Sequence, residues 1–476
     1  MTSSRHAHKP VGISGLFARI LLCCCLFASS AFAQQPNILF ILSDDAGYAD
    51  FGFHGSKDIL TPQLDQLASQ GLRFKQAYVS AAVCGPSRAG LLTGKYQQRF
   101  GYEENNVPGY MSLSGTHGDA MGLPLDQLTM ADYLKQQGYR TALFGKWHQG
   151  NADRFHPMKR GFDEFYGFRG GARSFYPFSE QNPNHRKEDF LERGFSVYAE
   201  SDKYFTDTLA DASIDFIKKN KNQPWFAFVS LTAPHAPMEA LPEDLARFPD
   251  LEGTRQIYAA MMWNMDKNIG RILSALEQEG QADNTLVVFT NDNGGPSDHN
   301  ASDNAPFSGT KANHLEGGIR VPMLMRWPGV THANSTFDQA VSLLDLLPTF
   351  YRAAGGASAP ADLDGVDLKP FVTGENTQAP HEFLFWKKEV RAAVRHGDWK
   401  LLRFPDRQAM LFNIKNDPGE TNDLAASHPE LSARLYKILF AWELKLERPA
   451  WQLKRQYEGA AIKRMDDYWP KAALKN

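Results

Sequence analysis

The chain has 476 residues, 42% of them hydrophobic and 22% charged, with a formal net charge of -3. That composition is globular, the length exceeds what one compact core usually organises, and the charge balance excludes the broad basic surface that a nucleic-acid binder needs. An anionic ligand would have to be held locally.

Arg5, Lys9 and Arg19 precede an apolar run, Ile20 to Phe27, and Ala31-Phe32-Ala33 precedes Gln34. This reads as a secretory signal over residues 1–33, so an exported, periplasmic or secreted protein is expected. The run is shorter than the roughly 20 apolar residues of a spanning helix, and no later stretch approaches that length. Three of the four cysteines, Cys23, Cys24 and Cys25, fall inside this segment and lack the small preceding residues of a lipidation site. The mature chain therefore keeps one cysteine, Cys84, which is either buried and inert or chemically committed.

Strand-length apolar runs alternate with amphipathic stretches, the pattern of an α/β fold with a large mixed, mostly parallel sheet between layers of helices. Four runs end in polar residues: Asn37 to Leu42 in Ser43-Asp44-Asp45, Thr141 to Phe144 in Gly145-Lys146-Trp147-His148, Trp225 to Leu231 in Thr232-Ala233-Pro234-His235, and Leu286 to Thr290 in Asn291-Asp292-Asn293. Ligands bind at the carboxyl ends of parallel strands. Any one of these ends alone would pass for a turn or a helix cap; their recurrence is the signal. Helices are expected at Pro62 to Gln70, with Leu64 and Leu67 inward, at Leu128 to Gln137, with Met130 and Leu134 inward, and at Tyr258 to Leu276, whose Asp266 and Lys267 read as solvated.

Near Gly365 the pattern changes. A C-terminal α+β subdomain, 371–476, follows the 34–370 domain in this reading, with antiparallel strands at Phe383 to Trp386, Ala392 to Arg395, Trp399 to Arg403 and Ala409 to Ile414, and a turn at His396-Gly397-Asp398. Ser427-His428-Pro429-Glu430 has capping-box spacing ahead of a helix with Leu431, Leu435, Leu439 and Trp442 on one face.

The most specific stretch is Val83-Cys84-Gly85-Pro86-Ser87-Arg88-Ala89-Gly90-Leu91-Leu92-Thr93-Gly94. Pro86 suits a first helical turn, which sets Cys84 at a helix amino terminus with Arg88 one turn on. This stretch resembles the signature of the type I sulfatases of the alkaline phosphatase superfamily, Cys-x-Pro-Ser-Arg followed by Leu-Thr-Gly. The resemblance continues through Asp44-Asp45, Gly145-Lys146-Trp147-His148, Pro234-His235, Asp292-Asn293-Gly294, Lys311, Glu316 to Pro322, Leu363-Asp364-Gly365, Gly397 to Leu401, Leu411-Phe412-Asn413 and Asp417-Pro418.

The resemblance implies that a maturation enzyme oxidises Cys84 to formylglycine, whose hydrate attacks sulfur and passes through a covalent sulfated intermediate. It implies one calcium ion held by Asp44, Asp45, Asp292 and Asn293, together with residue 84. An all-oxygen, carboxylate-rich set suits a hard divalent cation. Arg88, Lys146 and Lys311 would steady negative charge, His148 would act as base, and His235, with Lys311, as acid. The expected substrate is a sulfated oligo- or polysaccharide, with a galactan such as carrageenan as first guess. Arg169, Arg173, Phe175, Tyr176 and Phe178 form an aromatic and basic cluster suited to a sugar-binding rim; Asn105-Asn106-Val107 and His299 to Asn304 are further rim candidates, with Arg173, Asn106 and His299 as the substrate-binding residues. Two alternatives stay open: a phosphonate monoester or phosphodiester hydrolase of the same superfamily, and a polysaccharide-binding protein in which Cys84 stays a thiol.

Overall fold

The computed structural model describes residues 35–179, 190–195, 197, 198 and 200–468, together with 1–4, 6 and 7. The signal-like segment read above falls almost wholly outside the described residues. Residues 1–35 form a unit apart from Pro36–Asn476, and the few described residues of that first unit carry no regular secondary structure. Among the described residues, no helix is long and apolar enough to cross a membrane.

In the second unit the large sheet contains β1 (Asn37–Ser43), β2 (Leu72–Tyr78), β3 (Arg140–Lys146), β4 (Glu164–Phe168), β5 (Glu192–Arg193), β6 (Trp225–Ser230), β7 (Thr285–Asn291), β8 (Arg320–Arg326), β9 (Ser335–Phe337) and β10 (Val341–Ser342). Their order is β10-β2-β8-β7-β1-β6-β3-β4-β5, with β9 also on β2. The sheet is mixed. Strands β7, β1, β6 and β3 are neighbours and mutually parallel, whereas β8 runs antiparallel to β7 and to β2, and β5 to β4. The four strands that the sequence marks by their polar ends thus lie side by side, pointing the same way.

Their apolar runs are continuous because both faces of the sheet are covered. Ile38, Phe40, Leu42, Phe226, Phe228, Leu286 and Val288 pack into one core. Leu39, Ile41, Ala227, Val229, Val287 and Phe289 pack into the other, under the helices Pro62–Gln70, Phe205–Lys219 and Gly253–Gln278. Each fully buried Leu, Ile or Phe contributes about 1.5–3 kcal/mol, so the sheet is a stiff platform for its loops.

A second sheet, β11 (Phe383–Lys388), β12 (Arg391–His396), β13 (Trp399–Arg403) and β14 (Met410–Asn413), is antiparallel in that order. It carries the helix Pro429–Glu443, with Leu435 and Leu439 buried. It is bound to the main body by buried polar contacts: Trp386 Nε1 donates to the Val79 carbonyl at 2.7 Å, and Lys400 Nζ lies 2.8 Å from both Glu316 Oε1 and Glu420 Oε1, with all three side chains 0% exposed.

Two local expectations are corrected. Asp266 is buried, and its carboxylate accepts the Gln63 and Leu64 N–H groups at 2.9 and 2.8 Å. It thereby satisfies the amino end of the helix Pro62–Gln70, whose own Thr61 makes no side-chain cap bond. The Ser427 capping box does not form: His428 precedes the helix without a side-chain cap bond, and Ser427 Oγ donates to the Leu424 carbonyl at 3.0 Å.

Candidate active site

The carboxyl ends of β1, β3, β6 and β7 converge on the amino end of the helix Cys84–Thr93, all ten of whose residues are buried. Asp44 and Asp45 follow β1, and Asp45 turns the chain at φ 67. Asp292 and Asn293 follow β7, steadied by Asn291, whose Nδ2 donates to the Ala46 carbonyl at 2.9 Å and whose Oδ1 accepts from Ser43 Oγ at 3.0 Å. Lys146 ends β3 next to Gly145, at φ 113, where a side-chain carbon would strike the Ser230 carbonyl of β6. His148 stands two residues on, at φ 58.

These groups interlock. Lys311 Nζ is 3.0 Å from Cys84 Sγ and 2.7 Å from Asp45 Oδ1. Cys84 Sγ is 3.5 Å from Asp44 Oδ1, and Lys146 Nζ is 2.5 Å from Asp44 Oδ2. Arg88 donates from Nε to Asp292 Oδ2 at 2.9 Å and from Nη1 to Ser230 Oγ at 2.5 Å. His235 Nε2 lies 3.4 Å from Asp45 Oδ2, and Asn293 Nδ2 donates to Asp45 Oδ1 at 2.7 Å. Asn300, at the end of the short helix Ser297–Asn300, donates to the Asp45 carbonyl at 2.9 Å. Every catalytic and metal-site residue expected from the sequence, Cys84, Arg88, Lys146, His148, His235, Lys311, Asp44, Asp45, Asp292 and Asn293, thus comes from one end of the sheet.

The electrostatics follow from burial and mixed charge. Burial alone would raise the Asp44 carboxyl, but Lys146, His235, Arg88 and Lys311 together hold it far below the usual carboxylate range. Asp292 goes the other way: burial, then the charge of Asp44, push it up to about 7 against Arg88 and Lys146. Burial drives the Cys84 thiol well up, only partly offset by the two lysines, so residue 84 is no thiolate nucleophile at neutral pH. His148 is held neutral by burial with Lys146 and Arg88 beside it. Burial also lowers His235, outweighing Asp45 and Asp44. Lys311 is raised, because Asp45 and its neighbours overcome burial.

Metal-binding capacity is written into the donor set. Asp44, Asp45, Cys84 and His235 each offer a ligand atom, all within 4.8 Å of one another. Asp292 Oδ1 and Asn293 Oδ1 are buried with no hydrogen-bond partner, an expensive state for polar oxygens and the one expected of atoms that complete a cation's shell. The residues fit a divalent ion.

The rim candidates fare differently. Arg173 is 5% exposed, pairs with Glu200 at 2.8 Å and lies over the Phe205 ring; Phe175 is buried, and Arg169 pairs with Asp153 and Glu192. Much of that cluster is packing. Asn106 is half-buried and accepts from Tyr102 Oη at 3.0 Å. His299 is exposed, in the short helix Ser297–Asn300. Gly171, unmarked in the sequence, abuts His148: a side-chain carbon there would come within 2.7 Å of His148 Nε2.

The sulfatase family model matches residues 36–357. The chain belongs to the sulfatase family. It is a sulfuric ester hydrolase by that membership, and a second family model, N-sulphoglucosamine sulphohydrolase C-terminal, matches residues 311–442. The sulfatase is 31% identical to mouse steryl-sulfatase over 86% of this chain and 81% of that protein. It is 33% identical to human N-acetylgalactosamine-6-sulfatase over 86% and 85% of the two chains. The solved structure of Ps i-CgsB in complex with k-i-k-neocarrahexaose is 35% identical, with a TM-score of 0.82, and the match covers 93% of this sulfatase and all of that chain.

Proposed function

We propose that this sulfatase hydrolyses sulfate esters on sulfated galactan oligosaccharides of the carrageenan kind, using formylglycine made from Cys84 and one calcium ion. The observation that carries the reading is the environment of Cys84: a buried residue at a helix amino end, 3.0 Å from Lys311 Nζ and 3.5 Å from Asp44 Oδ1. The choice of sugar rests on the likeness, over the full length of that chain, to a structure solved with k-i-k-neocarrahexaose.

Asp44, Asp45, Asp292 and Asn293, with residue 84, hold the calcium. Bound there, it supplies positive charge to the sulfate oxygens. Conversion of Cys84 by a maturation enzyme replaces an unreactive thiol with a hydrated aldehyde, whose two hydroxyls serve in turn to attack sulfur and to expel sulfate. Lys146 and Lys311 steady the charge of the sulfuryl group. Lys311, held charged by Asp45, hands a proton to the departing sugar oxygen, and His235, on the same carboxylate, does so in its protonated form. His148, neutral and beside the nucleophile helix, takes the proton of the second hydroxyl. Arg88, immobilised by Asp292 and Ser230, orients residue 84. Export of the chain through residues 1–33 would bring it to extracellular polysaccharide.

Sulfate release from carrageenan oligosaccharides, glycosaminoglycan disaccharides, steryl sulfate and an aryl phosphate or phosphonate control tests the reading. Turnover confined to sulfated galactans is the expected result. Turnover confined to the steryl ester, or to phosphate and phosphonate esters, overturns the choice of substrate.

A further inference from the structure

Helices usually satisfy their first N–H groups with a Ser, Thr, Asp or Asn at the preceding position. The helix Cys84–Thr93 follows Val83, which has no side-chain acceptor. Its Gly85 N–H donates instead to Asn105 Oδ1, 2.8 Å away on a separate loop. A side-chain carbon at position 85 would crowd that oxygen at 2.8 Å, so the glycine admits the amide. The Gly85 carbonyl accepts from Gln149 Nε2 at 2.9 Å, and the same nitrogen donates to the His148 carbonyl at 2.8 Å. Gln149 is fully buried.

Asn105 is held from behind. Trp451 Nε1 donates to the Asn105 carbonyl at 3.0 Å and to the Glu104 carbonyl at 3.2 Å, while its ring meets the Tyr102 ring edge-on at 4.8 Å. The stretch around Trp451 is laced to the same loop by backbone bonds: Ala450 N–H to the Gly101 carbonyl at 2.9 Å, Leu113 N–H to the Gln452 carbonyl at 2.7 Å, and Lys454 N–H to the Met111 carbonyl at 2.8 Å.

We propose that Asn105, Gln149 and Trp451 are positioning residues: Asn105, braced by Trp451, holds the Gly85 N–H and Gln149 holds the Gly85 carbonyl, and together they set the nucleophile at residue 84 against His148. The carboxyl-terminal arm is thereby part of the active-site apparatus. The inference rests on the reading of residue 84 as nucleophile. None of the three residues touches reacting atoms. They act through geometry, where a misplacement of about 1 Å can cost about a hundredfold in rate.

The test uses the full-length protein and four variants. Trp451→Phe keeps the ring on Tyr102 and removes the N–H; Gln149→Leu keeps the volume; Asn105→Ala removes the acceptor, and Asn105→Asp keeps one. Deuterium exchange of the peptide covering 83–91, read by mass spectrometry, is expected to speed up about tenfold or more in Asn105→Ala and Trp451→Phe and to return toward wild type in Asn105→Asp. Normalised to aldehyde content, kcat is expected to fall about tenfold in Trp451→Phe and Gln149→Leu and further in Asn105→Ala, with KM within about twofold. Unchanged exchange in both Asn105→Ala and Trp451→Phe overturns the clamp whatever the activity, as does a raised KM at unchanged kcat, which would make the loop a substrate contact. If wild-type protein releases no sulfate, the functional reading fails while the exchange result still decides the clamp.

Discussion

Arg88 and Asp292 meet at 2.9 Å, Nε to Oδ2, with side chains 1% and 0% exposed. Through this pair the helix Cys84–Thr93 is tied to the end of β7, and the same guanidinium reaches Ser230 of β6 and the Lys146 carbonyl of β3. Arg88→Lys cannot reproduce that fork, and kcat should fall by about a hundredfold or more. Arg88→Ala leaves a buried carboxylate unpaired and should cost about 3–5 kcal/mol. Steady-state kinetics and urea denaturation check the two parts; wild-type values in both variants would contradict them.

His148 sits at φ 58, a conformation that asparagine tolerates better than most residues. His148→Asn should therefore fold normally and lower kcat by about 10²–10⁴. A drop in melting temperature that accounts for the lost activity would point to a structural role instead.

Removing divalent ions with a chelator should abolish sulfate release and lower the melting temperature. Calcium added back to about 100 times its Kd should restore about 2.7 kcal/mol of stability. Asp292→Asn and Asn293→Ala should each weaken the recovery. Equal recovery with magnesium would speak against a site selective for the larger ion.

Lys400 holds Glu316 and Glu420 together in the buried seam between the two sheets. Its charge keeps Glu316 at about 2 against burial. Lys400→Met leaves those carboxylates without a cation between them and should destabilise the protein by about 3–5 kcal/mol, measured by denaturation, without any contact to the catalytic groups.

His381 donates to Asp345 at 2.8 Å from a nearly buried position. Burial would lower the imidazole, but the charge and hydrogen bonds of Asp345 outweigh it, so the folded pKa lies above the unfolded value of about 6.5. The pair's stabilisation is therefore fully present below that unfolded value and is lost as pH rises through the higher folded one. The melting-temperature gap between wild type and His381→Gln should shrink from pH 5.5 to pH 9; a gap that widens contradicts the assignment.

The strands β1, β3, β6 and β7 were legible because a doubly covered strand reads as an unbroken apolar run with polar residues at its end. That they are neighbours was not: strand order depends on long-range pairing, which periodicity does not encode. Asp266 looked solvated on its helix because its partners, the Gln63 and Leu64 N–H groups, lie about 200 residues away. Arg173 looked like a rim residue because composition shows a cation near aromatics but not the Glu200 that neutralises it. Gln149 and Trp451 carry no motif at all and Asn105 reads only as part of a rim loop, since their part lies in three loops brought together around Gly85. Asp292 and Asn293 stand out in the sequence as a polar strand end, but their part as metal ligands comes from the resemblance, and the physical mark on them, two buried oxygens without partners, exists only in three dimensions.

The most direct test of the account is the mass of the peptide containing Cys84, taken from protein that releases sulfate. The account predicts a mass about 18 Da below that of the cysteine peptide, the replacement of a thiol by an aldehyde, in a proportion that tracks specific activity across preparations. Full activity from protein whose residue 84 is entirely thiol would contradict it.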